Sequence, residues 1–555
     1  MLREINQACE MINLLSAIQP PFIPNWADPS IGLRPFVAEL WLIATIVAVL
    51  LTPFFVKKSN AACAGVALVG LAAALISLMA VGVGPEVVGS KFRGLLVVDH
   101  FAVLWKVLLL IFTMGIVLMW FSTTAPTMHE GDGPEFFTLL LGATLGMSMM
   151  ASTSNLLMIF LAVEMASLPS YVLAGFRKTH RVGAEASLKY VLFGAATSAI
   201  MAYGLSMLYG LYGTLQVEQL APMMSPTGGG SALLVVGIFG LIAGIGFKIS
   251  AVPFHFWCPD VFEGASIDVS AFLSVASKGA ALCLLLRIMM LIANGLGYQH
   301  VPMLTAIAGV IGVIGAVTAT VGNTAAFVQT NIKRLLAYSS IAHAGYMLCA
   351  LSLLVQHNAK NPLAVAGANG LLAVGAAQAI LLYLTIYLFM NLGAFTVAGL
   401  IYRQTGSEQI DDYAGLGRRN PLLAICMGVF MFSLVGLPPF AGFIAKFFVM
   451  YVLGINGGWW WWLVAVIGLN TIFSLFYYMR VLKVMYLTNS EAPAFVGHPL
   501  GTAISVVCAA ALLLMFIGTN SMRRLTINYG KIYVQQGIAA NPQTAPQAPT
   551  AAALP

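Results

Sequence analysis

The sequence predicts an all-α polytopic membrane protein, a bundle of about 14 transmembrane helices. Of its 555 residues, 60% are hydrophobic and only 8% are charged, whereas a soluble globular domain carries about 25% charged residues. Apolar stretches of the roughly 20 residues needed to cross a hydrocarbon core recur from Phe36 almost to Thr519. These stretches are continuous and do not alternate with polar residues, which excludes a transmembrane β-barrel.

The predicted spans follow one another without room for a soluble domain between them. Residues 1–35 contain prolines and acidic residues but no cleavable signal pattern, so they are expected to be a retained interfacial segment. Residues 539–555 are rich in Ala, Pro, Gln and Thr and are expected to be disordered. The spans lie near 36–56, 61–83, 100–121, 136–152, 154–174, 187–211, 232–257, 267–296, 303–322, 325–355, 371–403, 421–452, 458–487 and 500–519.

The net charge of +7 is a topology signal and does not indicate nucleic-acid binding, because the basic residues lie mostly in short loops between spans. The even-numbered loops hold only Lys91, Arg93 and Lys360. The positive-inside rule therefore predicts that both termini lie outside the cytoplasm, although basic residues in the terminal segments argue mildly against this. The odd-numbered loops hold Lys57, Lys58, Arg177, Lys178, Arg181, Lys333, Arg334, Arg403, Arg418 and Arg419.

The seven cysteines are scattered along the chain, without a CxxC pair or the spacing of a zinc or iron–sulfur site. Their pattern therefore indicates neither a disulfide framework nor a metal cluster. The chain also lacks the glycine-rich motifs of nucleotide sites in their strand–turn–helix context.

Two predicted spans are interrupted by proline at comparable places in the two halves of the chain. Pro253 falls in the seventh span, and Pro438 and Pro439 fall in the twelfth. A proline inside a helix removes one backbone hydrogen bond and frees a carbonyl. Paired interruptions are typical of transporters built from two related repeats whose broken helices line an ion site. A simple kink tolerated by neighbouring helices is the alternative for each break.

Ionisable residues inside the spans carry the functional information, because each costs roughly 2.5–3.5 kcal/mol at the centre of the membrane. They are expected to face one another or water. A Glu–Lys pair of adjustable separation can load and release a proton, since burial and an opposite charge shift the two groups in opposing directions. A static buried salt bridge is the alternative, but one carboxylate cannot neutralise four lysines. The residues are Glu164, Lys189, Lys248, Lys278 and Lys446.

Two histidines stand close to these groups in the sequence. His255 follows Pro253 by two residues, and His343 lies within the tenth predicted span. Either imidazole could relay protons between lysines, and either could be a hydrogen-bonded packing residue. Without further clustered ligands, a bis-histidine haem is not expected.

Five stretches resemble the antiporter-like membrane subunits of respiratory complex I, the proton-pumping NADH:quinone oxidoreductase. The longest, residues 246–264, reads GFKISAVPFHFWCPDVFEG. The subunit N members are the most similar, because this stretch contains Pro-Asp-Val-Phe-Glu-Gly and the twelfth span carries Lys446, where subunit M has glutamate. The other four stretches are residues 163–171, 184–190, 331–343 and 436–446.

This resemblance implies a proton-translocating subunit with inverted five-helix repeats. It implies Glu164 as the fifth-span acid, Lys248 as its partner, Lys278 as the central relay, Lys446 as the exit-side group and Lys189 as a further family lysine. The implied units are 36–121 for the N-terminal helices, 136–296 and 303–487 for the repeats, and 500–519 for the last helix.

The resemblance also implies partners and a location. The chain is expected to bind no cofactor itself, with NADH, FMN, iron–sulfur clusters and quinone bound by partner subunits. Its expected partners are the lipid bilayer and other complex I membrane subunits, including homologous antiporter-like ones, and not nucleic acid. The membrane is expected to be an energy-conserving one, the bacterial inner membrane.

Three other functions compete with this interpretation. A monovalent cation/proton antiporter and a membrane hydrogenase subunit share the Glu and Lys architecture. A non-conducting anchor would gain nothing from five buried ionisable groups. Since neither member of the Glu164–Lys248 pair can be left in lipid, their charged ends are expected within about 12 Å of each other.

Overall fold

The computed structural model describes residues 33–56, 60–82, 88–124, 129, 131–177, 181–224, 232–296, 301–355, 370–489, 495 and 497–529. The predicted interfacial segment lies outside these residues except for 33–35, and the predicted disordered tail lies wholly outside them. The described part of the chain is an all-α membrane bundle to which one short β-hairpin is added.

The N-terminal group has three helices. Between the second and third lies a two-stranded antiparallel hairpin, which the sequence does not predict. Asp99 ends the hairpin and caps the third helix by accepting a hydrogen bond of 2.8 Å from the amide of Ala102. The elements are α1 (Val37–Phe55), α2 (Asn60–Val81), β1 (Gly89–Lys91), β2 (Leu96–Val98) and α3 (His100–Thr123).

The middle third of the chain contains the first proline break. The predicted seventh span, 232–257, is helical only as far as Ile249, where α8 ends, and α9 begins at its last residue, Trp257. The helix that follows contains a five-residue π-helical segment, Leu273–Ser277, which the sequence does not predict. The elements are α4 (Gly133–Met150), α5 (Leu156–Ala174), α6 (Arg181–Tyr212), α7 (Val217–Met223), α8 (Ala232–Ile249), α9 (Trp257–Gly264), α10 (Ile267–Phe272) and α11 (Lys278–Leu296).

The last third contains the second break. The predicted span 421–452 is also two helices, separated between Val435 and Ala441. The predicted span 325–355 is shorter than expected, since its helix runs from Ile332 to Leu351. The elements are α12 (Val301–Ala326), α13 (Ile332–Leu351), α14 (Gly370–Thr405), α15 (Leu416–Arg419), α16 (Pro421–Val435), α17 (Ala441–Asn456), α18 (Trp461–Leu487), α19 (Pro499–Ile517) and α20 (Thr519–Tyr529).

Eleven described helical segments are long and apolar enough to cross a membrane. Two of them form the centre of the bundle, since 94% of the apolar window is buried both in Ile267–Ala293 and in Gly375–Thr405. Helices α1, α2, α6 and α19 are far less buried and form the outer layer. The central position of α11 places Lys278, its first residue, deep inside the protein.

Two asparagines occupy matching places in the two halves. Asn155 caps α5 by accepting hydrogen bonds from the amides of residues 157 and 158, and it forms an isolated β-bridge with Gln216. Asn331 caps α13 by accepting from residues 333 and 334, and it forms a β-bridge with Gln409. Each cap thus joins the start of one helix to the loop that follows the next helix.

Candidate functional site

Lys248 lies in the last turn of α8, directly before the first break, and is 2% exposed. Its ammonium lies 5.1 Å from the ring centroid of Tyr171 and 5.4 Å from that of Tyr190, a cation–π arrangement. The Glu164 carboxylate acts electrostatically on Lys248. Within the described residues the two charges do not form a direct ion pair, because Glu164 instead accepts a hydrogen bond from the Ser198 hydroxyl.

Lys278 is 1% exposed and has two hydrogen-bond acceptors. Its ammonium donates to the hydroxyl of Ser340 at 2.5 Å and to the sulfur of Cys258 at 3.4 Å. Cys258 lies in α9, directly after the first break, and Ser340 lies in α13. The central lysine is therefore held between the broken helix and the second half of the chain.

Lys446 is 2% exposed and lies in α17, after the second break. Its ammonium donates a hydrogen bond of 2.9 Å to the backbone carbonyl of Val435, the last residue of α16. It also lies 4.8 Å from the ring centroid of Tyr346. A carbonyl at the interrupted end of a helix has no partner within that helix, so it is available to stabilise the buried charge.

His343 lies on α13 between Lys278 and Lys446, and both lysines act on it electrostatically. Its Nδ1 atom makes a hydrogen bond of 2.6 Å with the hydroxyl of Tyr383. The Tyr387 ring lies 5.1 Å away, centroid to centroid, and the Tyr387 hydroxyl is a neighbour of Ser340. Ser340, His343 and Tyr346, about one turn apart on α13, therefore lie between Lys278 and Lys446, although the Tyr387 hydroxyl has no hydrogen-bond partner among the described residues.

We call this set of groups, from the half-buried Glu164 through the buried Lys248, Lys278 and His343 to Lys446, the lysine axis. Tyr190 lies beside its first half, since its ring is 5.4 Å from the Lys248 ammonium, but its hydroxyl has no hydrogen-bond partner among the described residues. His255 lies in the first break and is electrostatically coupled to Lys278. The Nδ1 atom of His255 has no hydrogen-bond partner among the described residues.

Lys189 does not belong to the buried axis, which differs from the expectation that it lies with the other lysines. Its side chain is 39% exposed and pairs with Asp260 at 2.7 Å and with Glu185 at 2.8 Å. Asp260 also pairs with Arg334 at 2.8 Å. Although partial burial raises the pKa of the Asp260 carboxyl, the hydrogen bonds from Lys189 and Arg334 lower it below its usual value.

The number of buried ionisable groups is larger than the five taken from the sequence. Asp99 and Arg287 form a bidentate pair at 2.8 and 2.9 Å. Lys333 pairs with Glu408 at 2.6 Å. A third pair, Glu39 with Lys106, lies among the N-terminal helices. Each of these charged residues lies inside or beside a predicted span, so its charge can be recognised from the sequence. The pairing cannot be recognised, because the two partners are distant in sequence.

The hydroxyl and thiol groups of the axis were also missed. Tyr383 and Tyr387 are four residues apart in one apolar stretch, which places them on one face of a helix, and this spacing could have drawn attention to them. The position of Cys258 within the longest stretch was visible too, but its contact with Lys278 depends on the break between α8 and α9. Such contacts are tertiary and leave no local pattern.

Beyond Lys446, a hydrogen-bonded network continues from α13 into α12 and α18. The amide of Asn323 donates to the Tyr346 hydroxyl at 2.9 Å and to the Asn470 side chain at 3.0 Å. The Tyr477 hydroxyl donates to Asn323 at 2.9 Å. Tyr346 therefore joins Lys446 to a fully buried amide network.

The donor set of the axis suits protons and does not suit a metal ion. Among the residues that the structure describes, no group of three or more His, Cys, Asp and Glu side chains could hold a metal. Ammonium, imidazole and hydroxyl groups can instead pass protons along hydrogen bonds or through intervening water. The arrangement is chemically suited to carrying protons through the interior of the bundle.

Comparison with known proteins gives consistent results. Residues 153–474 match the family described as NADH:quinone oxidoreductase/Mrp antiporter, TM. The NADH-quinone oxidoreductase subunit N of Anaeromyxobacter sp. (strain Fw109-5) is 40% identical over 76% of this chain and 83% of its own length. That of Rhodospirillum rubrum is 39% identical over 88% of this chain and 95% of its own length. A chain of respiratory complex I from Thermus thermophilus has a TM-score of 0.69 and 30% identity, covering 88% of this chain and 99% of that one.

Proposed function

This chain belongs to the subunit N family, the proton-translocating antiporter-like membrane subunits of NADH-quinone oxidoreductase, and from this we propose that it moves protons along the lysine axis. Quinone reduction in partner subunits would drive this movement. One observation carries the proposal. The buried ammonium of Lys278 is hydrogen-bonded to Ser340, and Ser340, Tyr387, His343 and Tyr346 lead from there to Lys446.

Each group has a role in this proposal. Glu164 modulates the charge of Lys248, which it approaches without a direct ion pair. Lys278 is the central relay, with His255 on its side toward the first break. His343 and Lys446 then carry the proton toward the exit. Bridging water would complete the connections where neighbouring groups are not in direct hydrogen-bond contact.

We assign Lys189 a different role from the buried lysines. Its contacts with Asp260 and Glu185 lie at a partly exposed edge of the protein. Asp260 is on α9, which also carries Cys258, the acceptor for Lys278. Lys189 therefore acts by fixing α9, and it does not carry protons itself.

We propose that the two halves of the chain are inverted repeats, 136–296 and 303–487. Two features support this assignment. Both halves contain a broken helix, and the asparagine caps Asn155 and Asn331 have equivalent contacts. Glu164 stands nine residues after Asn155, and Ser340 stands nine residues after Asn331. At these equivalent positions, Glu164 acts on Lys248 and Ser340 accepts a hydrogen bond from Lys278.

We propose that a homologous membrane subunit covers the α5 face around Glu164. The half-buried Glu164 lies in a stripe of exposed apolar side chains at helical spacing. A carboxylate at this depth cannot face lipid without a large free-energy cost. Purification of this chain as an active homo-oligomer without partner subunits would contradict this assignment. The stripe consists of Leu157, Leu161, Leu168 and Val172.

Partner subunits are proposed to supply the redox chemistry. NADH, FMN, iron–sulfur clusters and quinone would bind there. We also propose the bacterial inner membrane as the location, with both termini outside the cytoplasm, on the basis of the loop charges.

A cation/proton antiporter or membrane hydrogenase subunit is the alternative function. The family description includes Mrp antiporters, so the fold alone does not discriminate. The identity of the subunit N relatives across almost their whole length favours the quinone-linked complex. Subunits for NADH or for hydrogen oxidation in the purified complex would decide between these functions.

Replacement of the central lysine tests the proposed function. Lys278→Met keeps the length of the side chain and suits an apolar interior, so the complex should assemble. Proton pumping and coupled quinone reduction should both fall, whereas Lys483→Met, at an exposed position of α18, should change neither. A static salt-bridge role predicts poor assembly and normal activity per assembled complex. Full pumping by a well-assembled Lys278→Met complex would remove the axis from the mechanism.

A further inference from the structure

A buried ion pair lies among the N-terminal helices, outside the lysine axis and outside residues 153–474. Glu39 is in the first turn of α1, and Lys106 is in the second turn of α3. Their charged ends are 2.7 Å apart, with side chains only 2% and 3% exposed. Ser148 of α4 donates a hydrogen bond of 2.7 Å to Oε1, the same Glu39 oxygen that Lys106 contacts.

The pair is incompletely satisfied. The second carboxylate oxygen of Glu39, Oε2, is buried and has no hydrogen-bond partner among the described residues. Besides Glu39, the described contact of the Lys106 ammonium is the Phe36 ring, 5.7 Å from its centroid. A buried charged group with unmade hydrogen bonds carries a large desolvation cost, so a static ion pair would be expected to complete its contacts.

Two other buried pairs of this chain provide an internal comparison. Arg287 uses both terminal nitrogens on Asp99 and donates its Nε hydrogen to the carbonyl of Ala151. Besides its ion pair with Glu408, the Lys333 ammonium donates hydrogen bonds to the backbone carbonyls of Glu263 and Ala265. These pairs have the contacts of structural clamps. The Glu39–Lys106 pair is as buried as Arg287–Asp99 and more buried than Lys333–Glu408, whose carboxylate side chain is 19% exposed, yet it lacks such additional contacts.

Apolar side chains cover the site at the hairpin end. Phe36 packs with Leu96 and Val98 of the hairpin, and Phe92 and Met149 extend this layer. Bulk water is therefore excluded, but the open Oε2 atom and the free ammonium hydrogens could together hold individual water molecules.

A line of buried hydroxyl groups leads away from the pair into the bundle. Ser148 and Thr144 are one helical turn apart on α4, and the Thr144 hydroxyl is 3.3 Å from that of Thr113 on α3. Thr113 and Thr144 are completely buried, and Ser148 is 4% exposed. Polar groups therefore extend from the ion pair toward the middle of the membrane.

We propose that Glu39, Lys106 and Ser148 form a second proton-binding site, one that holds water and takes up a proton during turnover. The proton is bound at Oε2 of Glu39, where an O–H bond forms as a hydronium O–H bond breaks and leaves water. The site changes from a neutral pair to one of charge +1, and release of the proton restores it. This proposal rests on the proposed proton-pumping function for the supply of protons, but not on the route through Lys278.

Infrared difference spectroscopy of the whole complex, driven by NADH in membrane vesicles, tests this site. Protonation of a carboxylate produces a carboxylic-acid stretching band that moves in heavy water. The wild-type complex should show such a band, and Glu39→Gln should lose it. Identical spectra from the two assembled complexes would overturn the proposal, because a static pair does not change protonation.

Two further variants keep the test decisive if Glu39→Gln alone leaves Lys106 unpaired and prevents assembly. Glu39→Gln combined with Lys106→Met removes both charges, and it should assemble and also lack the band. Ser148→Ala keeps both charges but removes a hydrogen bond to the carboxylate, so it should shift the band; an unshifted band would again overturn the site.

The Lys278→Met complex separates this proposal from the proposed function. Full pumping in that variant rejects the lysine axis. The Glu39 band then still reports whether the second site is protonated during turnover.

Discussion

The ammonium of Lys446 is bound to a backbone atom, the carbonyl oxygen of Val435, at 2.9 Å. That carbonyl is available because α16 ends at Val435, where Gly436 adopts a φ of 86° and turns the chain away from the helix. The second break therefore supplies the hydrogen-bond acceptor for the exit-side lysine of the proposed mechanism. Substitutions near the break should act through this contact.

Gly436→Ala should reduce proton pumping by at least about tenfold, because a charged hydrogen bond contributes about 1.5–3 kcal/mol. A Cβ atom at this position would lie 2.9 Å from Cδ of Lys446 and would displace the ammonium from Val435. Gly457→Ala is the matched control, since Gly457 also has a positive φ but a Cβ would meet no atom within 4 Å. Both variants should lose roughly 1 kcal/mol of stability from backbone strain. Equal pumping in the two variants would show that the Lys446 contact is not needed.

Ser340→Ala should lower turnover-normalised pumping by roughly tenfold, because the Lys278 ammonium loses its shorter hydrogen bond. Assembly should remain close to that of the wild type, since only one hydroxyl is removed. Ser505→Ala controls for loss of a buried hydroxyl, because Ser505 is fully buried and, within the described part of the chain, its hydroxyl bonds to the backbone carbonyl of Gly501. The assay compares assembled complex by native gel with vesicle acidification. Unchanged pumping in Ser340→Ala would exclude Ser340 from the axis.

Cys258→Ala should lower pumping less than Ser340→Ala, because the sulfur of Cys258 is a weak acceptor at 3.4 Å. Cys258→Ser keeps an acceptor and should retain more activity than the alanine variant. Initial pumping rates in vesicles with matched complex content give this order. If alanine and serine variants pump equally, the thiol serves only packing.

Asp260→Asn should weaken the assembled complex by about 1 kcal/mol, because its ion pairs with Lys189 and Arg334 are partly exposed and screened. The lowered pKa of Asp260 means that the wild type should lose this contribution as pH falls through the folded-state value, whereas the variant lacks it at every pH. Thermal unfolding of the purified complex from neutral to acidic pH measures both effects. Glu185→Gln, at a side chain 63% exposed, should change stability little. If Asp260→Asn is as stable as the wild type at neutral pH, the proposal that Lys189 fixes α9 through Asp260 is wrong.

Much of this architecture could be predicted because membranes impose strong constraints on sequence. Lys248, Lys278 and Lys446 stand out as charges within apolar runs, and the prolines mark the two breaks. The partners of these lysines could not be predicted, because Ser340 is 62 residues from Lys278 and Val435 contributes only its backbone.

Other differences have equally specific causes. The separation of Lys189 from the other lysines could not be predicted because its partner Asp260 is 71 residues away. Its helix begins at Arg181, six residues before the predicted start. Glu39 and Lys106 lay inside predicted spans and could have been recognised from the sequence as intramembrane charges.

The central position of α11 also affects how the protein is made. Synthesis proceeds from the N-terminus, so Asp99 is already present when Arg287 enters the membrane, and the two charges can be paired on insertion. Lys278 enters with Cys258 available, but Ser340 is synthesised 62 residues later. The helix that carries the central lysine therefore lacks part of its hydrogen-bonding partners until α13 arrives, so we expect it to leave the insertion machinery late.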